Sequence, residues 1–234
     1  MRKITSNIGL LYQLGGLSCM ILIVYSLITM LIVIGIGTAP ETIEECFSML
    51  QENRLNGLLR LDILTVIVMP LYYLLFYAIY LALKNTGKEI VSISTILVFA
   101  GLTLFLATPS VFSYLYLSDE YAKATTESEK SQLIAAGQAI LASDMWHGTG
   151  AKIGGILIQL GALTISLIML KSNVFNKLTA YTGIATHGLD LAHIVIGFFL
   201  PKWGTILMAI AGPLYLLWFP LIGIRLFRIK DKNE

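Results

Sequence analysis

Residues 8–36 read IGLLYQLGGLSCMILIVYSLITMLIVIGI, a run of 29 residues without a charge. A helix needs about 20 apolar residues to cross the hydrocarbon core of a bilayer. This stretch alone therefore assigns the chain to a membrane. Arg2 and Lys3 precede it, as basic residues precede a signal peptide. The run is too long for a signal peptide's apolar region, and Pro40, just past the small-residue sequence GTA, disfavours cleavage. It reads as a retained span.

Working outward, five more stretches qualify as spans: about 61–83, 90–117, 148–170, 178–200 and 205–227. Barrel strands would be shorter and would alternate polar with apolar residues, which these do not. The expectation is an all-α polytopic membrane protein, with six transmembrane helices forming one bundle over residues 1–234. Composition agrees. The chain is 56% hydrophobic and 13% charged, and its mean hydropathy is +0.79. The charged share is about half that of a soluble domain. A formal charge of +2, with no basic patch interleaved with aromatics, argues against a nucleic-acid partner. The expected partner is the lipid bilayer, with room for a small-molecule or lipid ligand. The composition does not fix an oligomeric state. Cys19 lies in an apolar segment and Cys46 on a connection, so the two suggest neither a disulfide framework nor a zinc motif.

Charge sets the expected orientation. Arg2, Lys3, Lys84, Lys88, Lys171, Lys177, Arg225, Arg228, Lys230 and Lys232 fall on alternate connections and termini, ten of the 16 basic residues. The opposite connections carry Glu41, Glu44, Glu45, Glu52, Asp119, Glu120, Glu127 and Glu129. The positive-inside rule puts the basic side and both termini in the cytoplasm. An even number of spans requires the same.

Two connections on the acidic side are long. In TAPETIEECFSMLQEN, residues 38–53, Thr38 and Glu41 have capping-box spacing, and Ile43, Cys46, Phe47 and Leu50 share a helical face. In TESEKSQLIAAGQAILAS, residues 126–143, Thr126 and Glu129 repeat the spacing, and Leu133, Ile134, Gly137, Ile140 and Leu141 form a stripe. Each predicts a short amphipathic helix on the outer face, packed over the bundle or gating a cavity. Pro70 and Pro213 are expected to kink the second and sixth spans. Trp146, Trp203 and Trp218, with Tyr72, Tyr73, Tyr114 and Tyr116, partly trace aromatic belts at the membrane interfaces.

A charge in mid-membrane costs about 3 kcal/mol on insertion scales, so ionisable residues within spans are functional candidates. Here they are Asp62, Asp144, His147, Lys152, His187, Asp190 and His193. Most fall in the outer half of the membrane, where they can line a polar cavity. His187, Asp190 and His193 sweep a sector of about 120° on one helix. That spacing lets His187 touch Asp190, and Asp190 touch His193. Such a set can relay protons, hold a ligand, or tie helices together. Zinc is an alternative, with His147, Asp190 and His193 as ligands. His187 and His193 are about 9 Å apart along the axis, too far to share one ion. No cofactor is otherwise implied. Lys152, in GTGAKIGG, either snorkels to headgroups or pairs with Asp190 or Asp62. Gly150 and Gly154 beside it have the spacing that lets helices approach closely.

Four segments carry a family resemblance: TIEECFSMLQENRLNGLLRLDIL at 42–64, YAKATTESEKSQLIAAGQAILA at 121–142, LIMLKSNVFNKLTAYTGI at 167–184 and GPLYLLWFPLIGIRLFRI at 212–229. Together they resemble the membrane family known as domain of unknown function 4386. The resemblance implies a prokaryotic, multi-pass protein of the plasma membrane, and carries over no activity and no catalytic residue. Positions 187 and 193, where apolar residues are usual in that family, are histidine here.

Three functions stay open on the sequence. A small permease or ligand-binding protein would use a polar outward-facing cavity. An intramembrane metal-dependent hydrolase would use the Asp/His cluster. A structural or accessory protein would need only a stable bundle.

Overall fold

The computed structural model describes residues 8–229. Arg2, Lys3, Lys230 and Lys232, used above for orientation, lie outside the described residues. Over the described residues the chain is all-helical, with no strand among them. Its elements are α1 (Ile8–Ile36), α2 (Ile43–Glu52), α3 (Arg54–Arg60), α4 (Ile63–Val68), α5 (Leu71–Leu83), α6 (Lys88–Leu106), α7 (Val111–Lys123), α8 (Glu127–Leu141), α9 (Thr149–Met169), α10 (Lys177–Gly197) and α11 (Pro201–Arg228).

Among the described residues, four stretches are long and apolar enough to cross a membrane: Ile8–Ile36, Lys88–Lys123, Thr149–Met169 and Pro201–Arg228. α10 matches α9 at 21 residues, but its threonines, glycines, histidines and aspartate lower its hydropathy. The second predicted span is not one helix. Asp62 adopts the left-handed conformation at φ 59° and separates α3 from α4, and Met69–Pro70 separates α4 from α5. The third is likewise split, by Ala107–Ser110, which contains Pro109. Pro213 and Pro220, by contrast, sit inside an unbroken α11.

The chain forms two compact units, and α1, α6 and α9 contribute residues to both. The first comprises residues up to Ser26, Pro70–Thr103 and the chain from Gly154 onward. Close backbone approach organises it. A Cβ on Gly101 of α6 would meet the Gly154 carbonyl of α9 at 2.5 Å, and one on Gly161 of α9 would meet the Ser94 carbonyl of α6 at 2.5 Å. Any side chain at either position would push these helices apart. Trp218, Phe219, Phe76, Leu75, Ile79, Leu83, Leu102, Ile165 and Met169 fill its interior.

The second unit comprises Leu27–Met69 and Leu104–Ile153. It has a core of its own: Ile43, Cys46, Phe47, Met49 and Leu50 of α2 pack with Leu61 and with Val111, Tyr114 and Leu117 of α7. Leu133, Ile134, Ile140 and Leu141 of α8 cover this core. Gly137 is fixed by the same packing, since a Cβ there would strike Ile43. The capping of α8 follows the sequence: Thr126 and Glu129 form a reciprocal box. That of α2 does not. Thr42, not Thr38, caps the helix, and Glu45 reaches back to the Glu41 N–H at 3.0 Å. Arg60 ties Glu45 (2.7 Å) to the Thr38 carbonyl (2.7 Å), and Arg54 pairs with Asp119. The Glu41 N–H first, then Arg60, holds the Glu45 carboxyl below its ordinary range. Burial pushes the Cys46 thiol up to about 12.

Candidate functional site

The seven candidate residues divide between the two units, with Asp144 in the unit built on α2, α7 and α8. Asp62, His147 and Lys152 belong to the unit built on α2, α7 and α8, and His187, Asp190 and His193 to the other.

Asp62 is half-buried at the break between α3 and α4 and accepts a hydrogen bond from the Thr65 hydroxyl. His147 is largely exposed. Its Nδ1 lies 3.1 Å from Oδ1 of Asp144. Asp144 is buried and also accepts from the Trp146 N–H (2.8 Å), the His147 N–H (3.1 Å) and the Tyr114 hydroxyl (3.0 Å). These bonds make Asp144 the organiser of the turn that leads into α9. Lys152 is half-exposed near the start of α9 and forms no ion pair with another described residue. Gly150 beside it approaches Thr108, so the glycine-rich start of α9 does admit a close neighbour.

The polar centre of the other unit is a four-residue network on three helices. His187 of α10 is fully buried, and its Nδ1 lies 2.8 Å from Oε1 of Gln159 on α9. Nε2 of Gln159 donates to Oδ2 of Asp190 on α10 at 2.6 Å. The hydroxyl of Tyr215 on α11 donates to the same oxygen at 2.8 Å and lies 3.1 Å from Gln159 Nε2. Direct contact between His187 and Asp190 was expected from their spacing. The structure corrects this: Gln159 stands between them and bonds both. His193 is half-exposed one turn beyond Asp190 and close enough to act on it electrostatically.

The bonding order is fixed by chemistry. A carboxylate oxygen accepts, so the amide nitrogen of Gln159 faces Asp190 and its oxygen faces His187. An amide oxygen can only accept, so His187 carries its proton on Nδ1. Both of these bonds to Asp190 fall on Oδ2. The His187 ring also stands edge-on to Trp218, with centroids 4.6 Å apart at 88°. Trp218 is fully buried and so does not belong to an interfacial belt. Tyr72 and Tyr114 are buried too, whereas Trp146, Trp203 and Tyr116 are exposed.

No protein-family model, curated protein or solved structure matches the chain.

The site must therefore be read from its own chemistry. The proposed zinc ligands His147, Asp190 and His193 do not form a ligand set within either unit, since His147 belongs to one and the other two to the second. Among the described residues no group of three or more His, Cys, Asp or Glu side chains is placed to hold a metal ion. Gln159 and Tyr215 were not singled out from the sequence, because only Asp, Lys and His, which carry charge near neutral pH, were counted as costly within spans. A lone glutamine in mid-span carries the same signal, since an unpaired buried amide also costs free energy.

Proposed function

We propose that this is a six-crossing protein of a prokaryotic plasma membrane, akin to the family of domain of unknown function 4386, that works as a small permease. Its termini would be cytoplasmic, and α2 and α8 would lie on the outer face. Four long apolar helical stretches among the described residues support the membrane reading. α5 with α4, and α10, would supply the remaining crossings. At 1.5 Å per residue, α10 is about 31 Å long, close to the thickness of the hydrocarbon core. Lys84, Lys88, Lys171, Lys177, Arg225 and Arg228 on alternate connections support the orientation.

One observation carries the permease reading. Asp190, a carboxyl group within an apolar helix, is held on Oδ2 by two neutral donors from two other helices. A scaffold needs only the hydrogen bonds, which an asparagine could accept without the ~3 kcal/mol cost of a charge in the membrane. A carboxylate adds the ability to bind and release positive charge. The hydrolase reading has less support, because His147 is engaged by Asp144.

The test uses the purified protein in liposomes loaded with a pH-reporting dye. A potassium diffusion potential drives proton entry. The expected result is proton flux in the wild type, reduced at least tenfold in Asp190→Asn and unchanged in Glu129→Gln. Equal flux in wild type, Asp190→Asn and protein-free liposomes would leave the scaffold reading instead.

A further inference from the structure

In the unit built on α2, α7 and α8, every lysine and arginine except Lys152 has a carboxylate partner. Arg54 pairs with Asp119, Arg60 with Glu45, Lys123 with Glu120 and Lys130 with Glu127. The other unit differs. Lys84, Lys88, Lys171, Lys177, Arg225 and Arg228 stand at its helix ends, and none forms an ion pair with a described residue. Glu89 is the one acidic residue among the described residues of these ends.

Two contacts bring the ends together. A Cβ on Gly87, in the turn between α5 and α6, would lie 3.9 Å from Ile168 in the last turn of α9. Nε of Arg225, in the last turn of α11, donates to the Val174 carbonyl in the turn between α9 and α10. That turn is fixed by its own side chains. The Val174 N–H donates to Ser172 Oγ at 2.9 Å, Asn176 caps α10 through the Thr179 N–H at 2.8 Å, and Phe175 is buried. Lys171 and Lys177 stand at the two ends of this turn, and Arg225 is bonded to its middle. Arg228 follows Arg225 by three residues, so the two are neighbours on the surface of α11. All four side chains are exposed. Arg225 makes no other hydrogen bond to a described residue, so its terminal nitrogens keep the planar fork that matches a phosphate.

The neighbouring apolar residues separate a lipid from a free phosphate. Tyr181 follows Lys177 by four residues on α10, and Ile224 precedes Arg228 by four on α11, so each shares a face with its cation. Both are well exposed, at 59% and 50%. Each helix thus carries a cation at its end and an exposed apolar side chain one turn inward. A phospholipid presents its phosphate and then its acyl chains in the same order, whereas a free phosphate would use only the cations.

We propose that Lys171, Lys177, Arg225 and Arg228 hold the phosphate of an anionic phospholipid whose acyl chains lie against Tyr181 and Ile224. Basic clusters at the ends of membrane helices recognise such headgroups. A zwitterionic lipid offers the same phosphate but brings a cationic group that the unpaired lysines and arginines repel. The inference rests on the membrane reading, and needs neither transport at Asp190 nor a given orientation.

The experiment is native mass spectrometry of the full-length protein in neutral detergent, titrated with dioleoylphosphatidylglycerol or dioleoylphosphatidylcholine. The expected result is a one-to-one complex that forms more tightly with phosphatidylglycerol. Lys177→Gln/Arg228→Gln, which leaves the Arg225 bond in place, should weaken phosphatidylglycerol binding by about fivefold for each charge lost. Arg54→Gln/Lys130→Gln removes the same charge from the other unit and should leave binding unchanged. Asp190→Asn should also bind as wild type, which separates this site from the permease reading. Equal binding of the two lipids by the wild type would overturn the proposal, whether or not the double variant folds. Undiminished binding by the folded double variant would overturn it too, as would an equal loss in Arg54→Gln/Lys130→Gln. Displacement of the lipid by excess inorganic phosphate would instead mark a site for soluble phosphate and contradict the assignment.

Discussion

His187 and Asp190 lie on the same helix three residues apart, yet Gln159 hydrogen-bonds both, its oxygen facing the imidazole and its nitrogen the carboxylate. One amide therefore sets the orientation of both. α9 supplies the amide, α10 the two groups it bridges, and Tyr215 of α11 closes the network from the third side.

Replacing Gln159 should cost more than one hydrogen bond. Gln159→Leu strands His187 and weakens the hold on Asp190, so a loss of about 1–3 kcal/mol is expected. Denaturation of the purified protein by sodium dodecyl sulfate in mixed micelles measures it. Gln159→Glu keeps the size but removes the donor facing Asp190, and should be no better.

The approach of α6 to α9 predicts a second loss. Gly161→Val puts a branched side chain where the Ser94 carbonyl lies 2.5 Å from the first added carbon. Overpacking of this kind costs about 1–3 kcal/mol. A drop in thermal stability is expected, with a smaller drop for Gly161→Ala.

Asp62 is the one non-glycine residue with positive φ among those described. The left-handed conformation costs an ordinary residue about 1–2 kcal/mol. Asp62→Ala should therefore destabilise, since it also loses the bond from Thr65. Asp62→Asn should be milder and Asp62→Gly should recover the backbone cost. Melting temperatures of the three variants give the order.

Acid should weaken the unit built on α2. Glu45 is held below its ordinary range in the folded chain, so its contribution is present above the unfolded carboxylate value of about 4.3 and is lost as pH falls through the lower folded value. Thermal unfolding between pH 7 and pH 3 should show a fall that is shallower in Glu45→Gln. Identical slopes would assign the pH dependence to other groups.

Much of the helix layout was legible because hydropathy follows length. α1, α9 and α11 stand close to where the apolar runs begin and end. The breaks were harder to read. Asp62 could be seen as a buried acid but not as a left-handed residue, because φ is set by how α3 and α4 must turn, not by the residue alone. Pro70 was visible as a kink and stands at a full break between α4 and α5, whereas Pro213, also read as a kink, lies within the continuous α11. The site was half legible. His187 and Asp190 stood out as costly residues in an apolar run. Their partners Gln159 and Tyr215 are neutral, and nothing in their local sequence says that three helices bring them to one point. Trp218 looked like an interfacial anchor because tryptophans in membrane chains commonly are, and only packing reveals it as the wall beside His187.

The account depends most on α10 crossing the membrane, since only then does Asp190 lie within it. Single cysteines at the start of α10, Lys177→Cys, and just past its end in the first turn of α11, Lys202→Cys, can be introduced after the two buried native cysteines are replaced by alanine. Labelling in intact and permeabilised cells with a membrane-impermeant maleimide then reports the side on which each end lies. The account predicts that Lys202→Cys reacts in intact cells and Lys177→Cys only after permeabilisation. Reaction of both from the same side would contradict it.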